Sequence, residues 1–102
     1  MTRKELAKAI SEKTGLPRKD AEAAVAALIA TIRESLLAGE PIILRGFGTF
    51  GLRYQRARKG RLIRTGQEVL IPPRVRIYFE PSDILQDAVA QRKELVERFA
   101  PK

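Results

Sequence analysis

The sequence predicts an α+β fold: two N-terminal helices, a three-stranded antiparallel sheet with a long protruding β-hairpin arm, and a C-terminal helix. Three observations predict it. Apolar residues recur at helical spacing over residues 1–39 and again after Ser82. Residues 40–81 instead alternate apolar and polar types, as strands do. That alternation is interrupted by a basic segment. Residues 51–76 hold Arg53, Arg56, Arg58, Lys59, Arg61, Arg64, Arg74 and Arg76 against Glu68 alone, a net +7 of the chain's +8.

The first helix is expected over about 3–14. Thr2-Arg3-Lys4-Glu5 fits a capping box, Leu6 and Ile10 lie one turn apart, and Gly15 suits the C-terminal cap. Pro17 opens a second helix that ends near Gly39. Ala21, Val25, Leu28, Ile32 and Leu36 form its stripe, and Ala24, Ala27 and Ile29 widen it. A helix apolar on most sides is buried on most sides, so its second face is expected to meet another copy. The alternative is an alanine-rich helix of high propensity with no partner.

Ile42 to Arg45, including Leu44, reads as a short strand. Gly46-Phe47-Gly48 turns the chain, and Thr49 to Tyr54 continues as a strand with Phe50, Leu52 and Tyr54 on one face. From Gln55 the apolar alternation stops while the bases persist. Gly60 to Gly66 carries turn signals, and Gln67 to Ile71 reads as a return strand. Pro72-Pro73 interrupts that strand, which implies an edge or bulge. Arg74 to Phe79 alternates again. Residues 53–76 are thus expected to form one long hairpin whose outer half has no hydrophobic face. Ser82 caps the last helix, with Asp83 in its first turn and Ile84, Leu85, Ala88 and Val89 buried. Residues 1–39, 40–81 and 82–102 are three parts of a single domain. The tail, with Leu95, Val96 and Phe99, either extends the last helix, with or without a break, or docks on the body. Arg92, Lys93, Arg98 and Lys102 make it basic.

Composition narrows the function. A domain of 102 residues buries little surface and is marginal alone, so oligomerisation is expected. There is no cysteine and no histidine, which excludes disulfides, thiolate metal sites and the commonest general base. No phosphate-binding glycine loop or paired nucleophile and base is present, so an enzyme is not expected, and neither is a cofactor, metal or small-molecule substrate. No apolar run is long enough to span a bilayer, and residues 1–5 lack a signal-peptide core. The chain is expected to be cytoplasmic and not membrane-bound. Like charges repel, so concentrated basic charge points to a polyanionic partner.

Gly46-Phe47-Gly48-Thr49-Phe50, followed by Gly60-Arg61 and Thr65-Gly66, resembles the signature of the bacterial HU and integration host factor family. The likeness runs without gaps from about residue 2 to 90 and includes Gly39, Phe79 and Leu85-x-Asp87-Ala88. The resemblance implies an intertwined dimer, of this chain with itself or a paralogous subunit. Its two arms wrap the minor groove of double-stranded DNA and bend or compact it in the nucleoid. On this reading Arg56, Arg58, Arg61 and Arg64 contact DNA first, then Arg53, Lys59, Arg74 and Arg76. Arg45 is either a DNA contact, as in an integration host factor subunit, or a solvent-facing strand residue. Phe47, Phe50, Phe79, Leu44, Val25, Leu28, Ile29, Ile32 and Leu36 form the structural and dimer core. Gly46, Gly48, Gly60 and Gly66 are the turn glycines. Sequence specificity is expected to be low, since minor-groove readout is degenerate.

The chain departs from the family at the arm tip. Ile63, within Gly60-Arg61-Leu62-Ile63-Arg64-Thr65-Gly66, stands where the family places proline. HU and integration host factor are themselves known minor-groove binders, and such proteins insert apolar wedges between base pairs. Three accounts fit: Ile63, with Leu62, intercalates in the proline's place; the tip packs on another protein; or kinking is weakened or lost, leaving a DNA binder that does not kink DNA. A structured-RNA-binding or ribosome-associated protein is the alternative function, because basic hairpins with glycine turns occur there too.

Overall fold

A computed structural model of the chain describes residues 1–101. Lys102, counted above in the basic tail, lies outside the described residues. The chain divides into two compact units, Met1–Ala38 and the residues from Gly39 onward.

The first unit is a helical pair, α1 (Arg3–Thr14) and α2 (Arg18–Leu37). Thr2 caps α1: its hydroxyl accepts from the Glu5 N–H at 3.2 Å and donates to the Glu5 carboxylate at 3.1 Å. Gly15 ends the helix at φ 78°, and its N–H donates to the Ser11 carbonyl. Pro17 is the N-cap of α2 and its carbonyl accepts from Ala21, so the helix opens one residue after the proline. Ala7, Ala21 and Val25 are buried together, with Ile10 and Ile29 packed against them. Ala21, Val25 and Ile29 are spaced by four, which sets them in one row facing α1. Leu28 lies off that row and is 56% exposed, and Leu37 is exposed as well. Ile32 and Leu36 are half-buried. One face of α2 is thus covered by its own chain and another is open.

The second unit holds β1 (Ile42–Leu44), β2 (Gly48–Gln55), β3 (Arg58–Arg61), β4 (Glu68–Ile71), β5 (Arg74–Pro81), α3 (Asp83–Ala90) and α4 (Lys93–Phe99). Strands β1, β2 and β5 form an antiparallel three-stranded sheet in that order, and β3 pairs with β4 in a separate two-stranded sheet. The single hairpin expected over 53–76 is therefore divided. Pro72 and Pro73 cause the division, because neither has an N–H for the ladder. Register survives it. Gln55 pairs with Arg74 and Arg58 with Ile71 at one constant offset, so Arg56 and Ala57 stand opposite Pro73 and Pro72 with no residue inserted.

On one face of β2 and β5 lie Phe50 opposite Phe79, Leu52 opposite Ile77, and Tyr54 opposite Val75. The Phe79 ring centroid is 4.8 Å from that of Phe50 and 5.5 Å from that of Phe47. Gly48 lets this cluster close: a β-carbon there would fall 2.6 Å from the Phe79 ring and from the Glu80 carbonyl. Phe47 is nonetheless 47% exposed and Phe79 41%, and Leu44 is also exposed. Within this unit, Leu44, Phe47, Phe50 and Phe79 therefore belong to an apolar face that one chain leaves open. The single chain exposes 9222 Å², whereas a folded monomer of 11.4 kDa exposes about 5,800 Å².

Ser82 caps α3 by accepting from the Leu85 N–H at 3.2 Å, and its own N–H donates to the Phe47 carbonyl. The burial expected along α3 is incomplete: Leu85 is half-buried, but Ile84, Ala88 and Val89 are exposed, because nothing in their own unit covers them. A break at Gln91–Arg92 separates α3 from α4, where Arg92 is extended.

Candidate nucleic-acid interface

Constant register sorts the arm's bases by face, since directly opposed residues share a side and successive residues alternate. One face, here the polar face, carries Gly51 opposite Tyr78, Arg53 opposite Arg76, Gln55 opposite Arg74, Lys59 opposite Leu70, and Arg61 opposite Glu68. The other face, continuing outward from Phe50 and Phe79, carries Arg56, then Arg58 opposite Ile71 and Gly60 opposite Val69. Five bases thus share the polar face: Arg53, Lys59, Arg61, Arg74 and Arg76. Arg56 and Arg58 lie on the opposite side, so the four bases expected to act first are not brought together.

The charges on the polar face are close to one another and weakly compensated. Arg53 and Arg76 are directly opposed, an arrangement that destabilises an isolated sheet. Arg74 Nε donates to Gln55 Oε1 at 3.5 Å. The Arg53 guanidinium carbon sits 4.4 Å from the centroid of the Tyr78 ring, a cation–π contact. The salt bridges found among the described residues, Arg18–Glu22 at 3.7 Å and Arg92–Glu94 at 3.8 Å, lie outside the arm.

The outer half of the arm has a small apolar face after all. Val69 and Ile71 are half-buried beside Gly60, where an added β-carbon would fall 2.8 Å from Ile71 Cδ1. Gly60 is therefore a strand glycine and not a turn glycine, and so is Gly48. What each provides is close approach, to Ile71 in one case and to Phe79 in the other. Gly46 and Gly66 are the turn glycines, at φ 80° and 69°, values that side chains with a β-carbon resist.

The tip is a closed loop. The Leu62 N–H donates to the Gln67 carbonyl at 3.0 Å, and the Gly66 N–H donates to the Leu62 carbonyl at 2.8 Å. The Thr65 hydroxyl accepts from the Gln67 N–H at 3.3 Å. This closure sets Ile63 at the apex, 103% exposed, with Arg64 next to it and Leu62 at 47%. Arg45 lies elsewhere, in the turn between β1 and β2 and outside either strand. The five residue steps of β2 from Gly48 to Arg53, about 17 Å at 3.4 Å per residue, separate that turn from the root of the arm.

Two residues on the polar face, Gly51 and Tyr78, are not among those that the sequence pattern marks. A signal was available: a glycine inside a strand marks close approach by a neighbour.

Residues 1–90 match the family model described as bacterial DNA-binding protein. The chain belongs to the bacterial DNA-binding protein family. Among its relatives is DNA-binding protein HU of Geobacillus stearothermophilus, 44% identical over 89 residues that span 87% of this chain and 99% of the relative. Integration host factor subunit alpha of Rhodobacter capsulatus is 36% identical over 92 residues, 90% of this chain and 92% of the relative. Among solved structures, the Anabaena HU–DNA cocrystal structure superposes with a TM-score of 0.84 at 33% identity, over 89% of this chain and 99% of that one. The solution structure of a mutant of transcription factor 1 superposes at 0.65 with 31% identity, over 99% of this chain and 100% of that one. The bacterial DNA-binding family match stops at residue 90, the last residue of α3, so α4 lies beyond it.

Proposed function

We propose that this chain is a dimeric architectural protein that binds duplex DNA with two basic β-arms and bends or compacts it. One observation carries the reading: a register-continuous ribbon aligns five bases on one face and ends in a fully exposed isoleucine. Cations spread along one face of an extended ribbon suit the dense line of phosphate charge that a duplex carries. Arginine's planar fork also suits phosphate and groove edges. Membership of a DNA-binding family and the fold shared with an HU–DNA complex support it. The apolar faces left open by one chain, on α2 and around Phe47 and Phe79, supply the dimer contact.

Within this reading, Arg53, Lys59, Arg61, Arg74 and Arg76 contact the backbone or groove edges, and Arg64 acts at the tip. Arg56 and Arg58 reach DNA only if the groove wraps the ribbon's other side. Ile63 is the wedge, assisted by Leu62. Phosphate contacts position the protein and carry no sequence information, so binding is of low specificity. The role is one of binding and not catalysis, and its place is the bacterial nucleoid. No helix among the described residues is long and apolar enough to cross a membrane.

The test is end-to-end fluorescence transfer on a short labelled duplex with the purified chain alone. Transfer should rise on binding as the ends approach. Binding that leaves transfer unchanged would overturn bending. Preference for structured RNA over duplex DNA in competition would favour the RNA-binding alternative.

A further inference from the structure

Gly51 lies in the middle of β2, opposite Tyr78 on β5. A β-carbon at Gly51 would fall 2.6 Å from the Tyr78 hydroxyl oxygen and 2.7 Å from Cζ. The tyrosine ring therefore lies across the sheet in the space that the glycine leaves. Arg53 is two residues further along the same strand and on the same face, with its guanidinium carbon 4.4 Å from the ring centroid. Arg76 directly opposes Arg53, and like charge alone would drive the two guanidinium groups apart. The ring's negative face holds one of them in place against that repulsion. Arg74, the next base along this face, is tethered to Gln55.

We propose that Tyr78, seated in the notch at Gly51, is a positioning residue for DNA binding that holds the Arg53 guanidinium on the polar face as a preformed phosphate contact at the root of the arm. The proposal rests on the DNA-binding reading above. An arginine already held in place loses less conformational freedom on binding, so the benefit appears as affinity without added charge.

The experiment is a double-mutant cycle of Tyr78→Ala and Arg53→Ala on the full dimeric chain, with duplex affinity measured across a salt series. Each variant is checked by thermal melting and sedimentation. Tyr78→Ala should weaken binding about two- to fivefold per arm, the range for an exposed cation–π contact, and leave the salt slope unchanged. Arg53→Ala should lower both affinity and slope. In the Arg53→Ala background, Tyr78→Ala should have no further effect. Tyr78→Phe should bind like wild type, and Gly51→Ala, which displaces the ring, should behave like Tyr78→Ala. In the free protein, ring-current shifts on the Arg53 side-chain protons should vanish in Tyr78→Ala. Equal losses in both backgrounds, or Arg53 protons without ring-current shifts, would overturn the role of Tyr78. A wild-type chain that binds no duplex would instead overturn the functional reading, and that outcome is separate from additive losses.

Discussion

Arg53 and Arg76 face each other across β2 and β5 on one side of the ribbon. Opposed like charges destabilise a sheet by a few tenths of a kcal/mol to about 1 kcal/mol. The pair therefore has opposite effects in the free and bound states. Arg76→Gln should raise the melting temperature of the free protein slightly and weaken duplex binding. A variant that melts lower and binds as well as wild type would show that the pair serves the fold and not DNA.

Salt dependence tests the sorting of bases by face. The log–log slope of affinity against salt should fall by about 0.9 for each phosphate that is no longer neutralised. In a homodimer each substitution removes two bases. Lys59→Ala and Arg61→Ala should reduce the slope more than Arg58→Ala, which alters the opposite face. If Arg58→Ala has the larger effect, the ribbon lies the other way up on DNA.

Glu68 is the arm's one acid and stands opposite Arg61. An exposed pair of opposite charges is worth about 1 kcal/mol or less. Glu68→Gln should therefore tighten duplex binding by roughly threefold at low salt, with the gain fading as screening increases. Weaker binding by the variant would mean that Glu68 orders Arg61 and does not compete with DNA for it.

Ile63 at the apex makes the wedge testable. Ile63→Ala should lose preference for nicked, gapped or mismatched duplex over intact duplex, and reduce bending, at nearly the same salt slope. Unstacking one base step takes a few kcal/mol, offset by the contacts that a bent duplex allows. Ile63→Pro should keep or increase the bend. If wild type shows no preference for flexible DNA and Ile63→Ala changes nothing, the tip is better assigned to a protein contact.

Assembly is tested through Leu28, which is 56% exposed in one chain. The purified protein should sediment as a dimer at micromolar concentration, and Leu28→Glu should shift it toward monomer or unfold it. A folded wild-type monomer across that range would remove the dimer from the reading.

The α+β class, the order of elements and the capped helix ends were legible in the sequence. The cues are local: Thr2 with Glu5, Gly15 and Ser82 each act within one turn of chain. The concentration of charge was legible too, because it is composition. Which bases share a face emerges only on folding. Arg56, Arg58 and Arg61 are near neighbours in sequence, yet Arg61 shares its face with Arg53 and Arg76 while Arg56 and Arg58 lie on the other. That sorting depends on strand register, which Pro72 and Pro73 left ambiguous, since proline in a strand implies either an edge or a bulge, and only a bulge shifts the register. The structure shows a gap with constant offset, so alternation carries through from Phe50 to Gly60 on one face and from Gly51 to Arg61 on the other. The same long-range pairing set Tyr78 over Gly51 and made Gly48 and Gly60 sites of close approach. Local sequence specifies how each segment folds. Which side chain meets which partner far along the chain, as Gly51 meets Tyr78, is settled only when the strands pair, because a shift of one residue would turn every side chain to the other face.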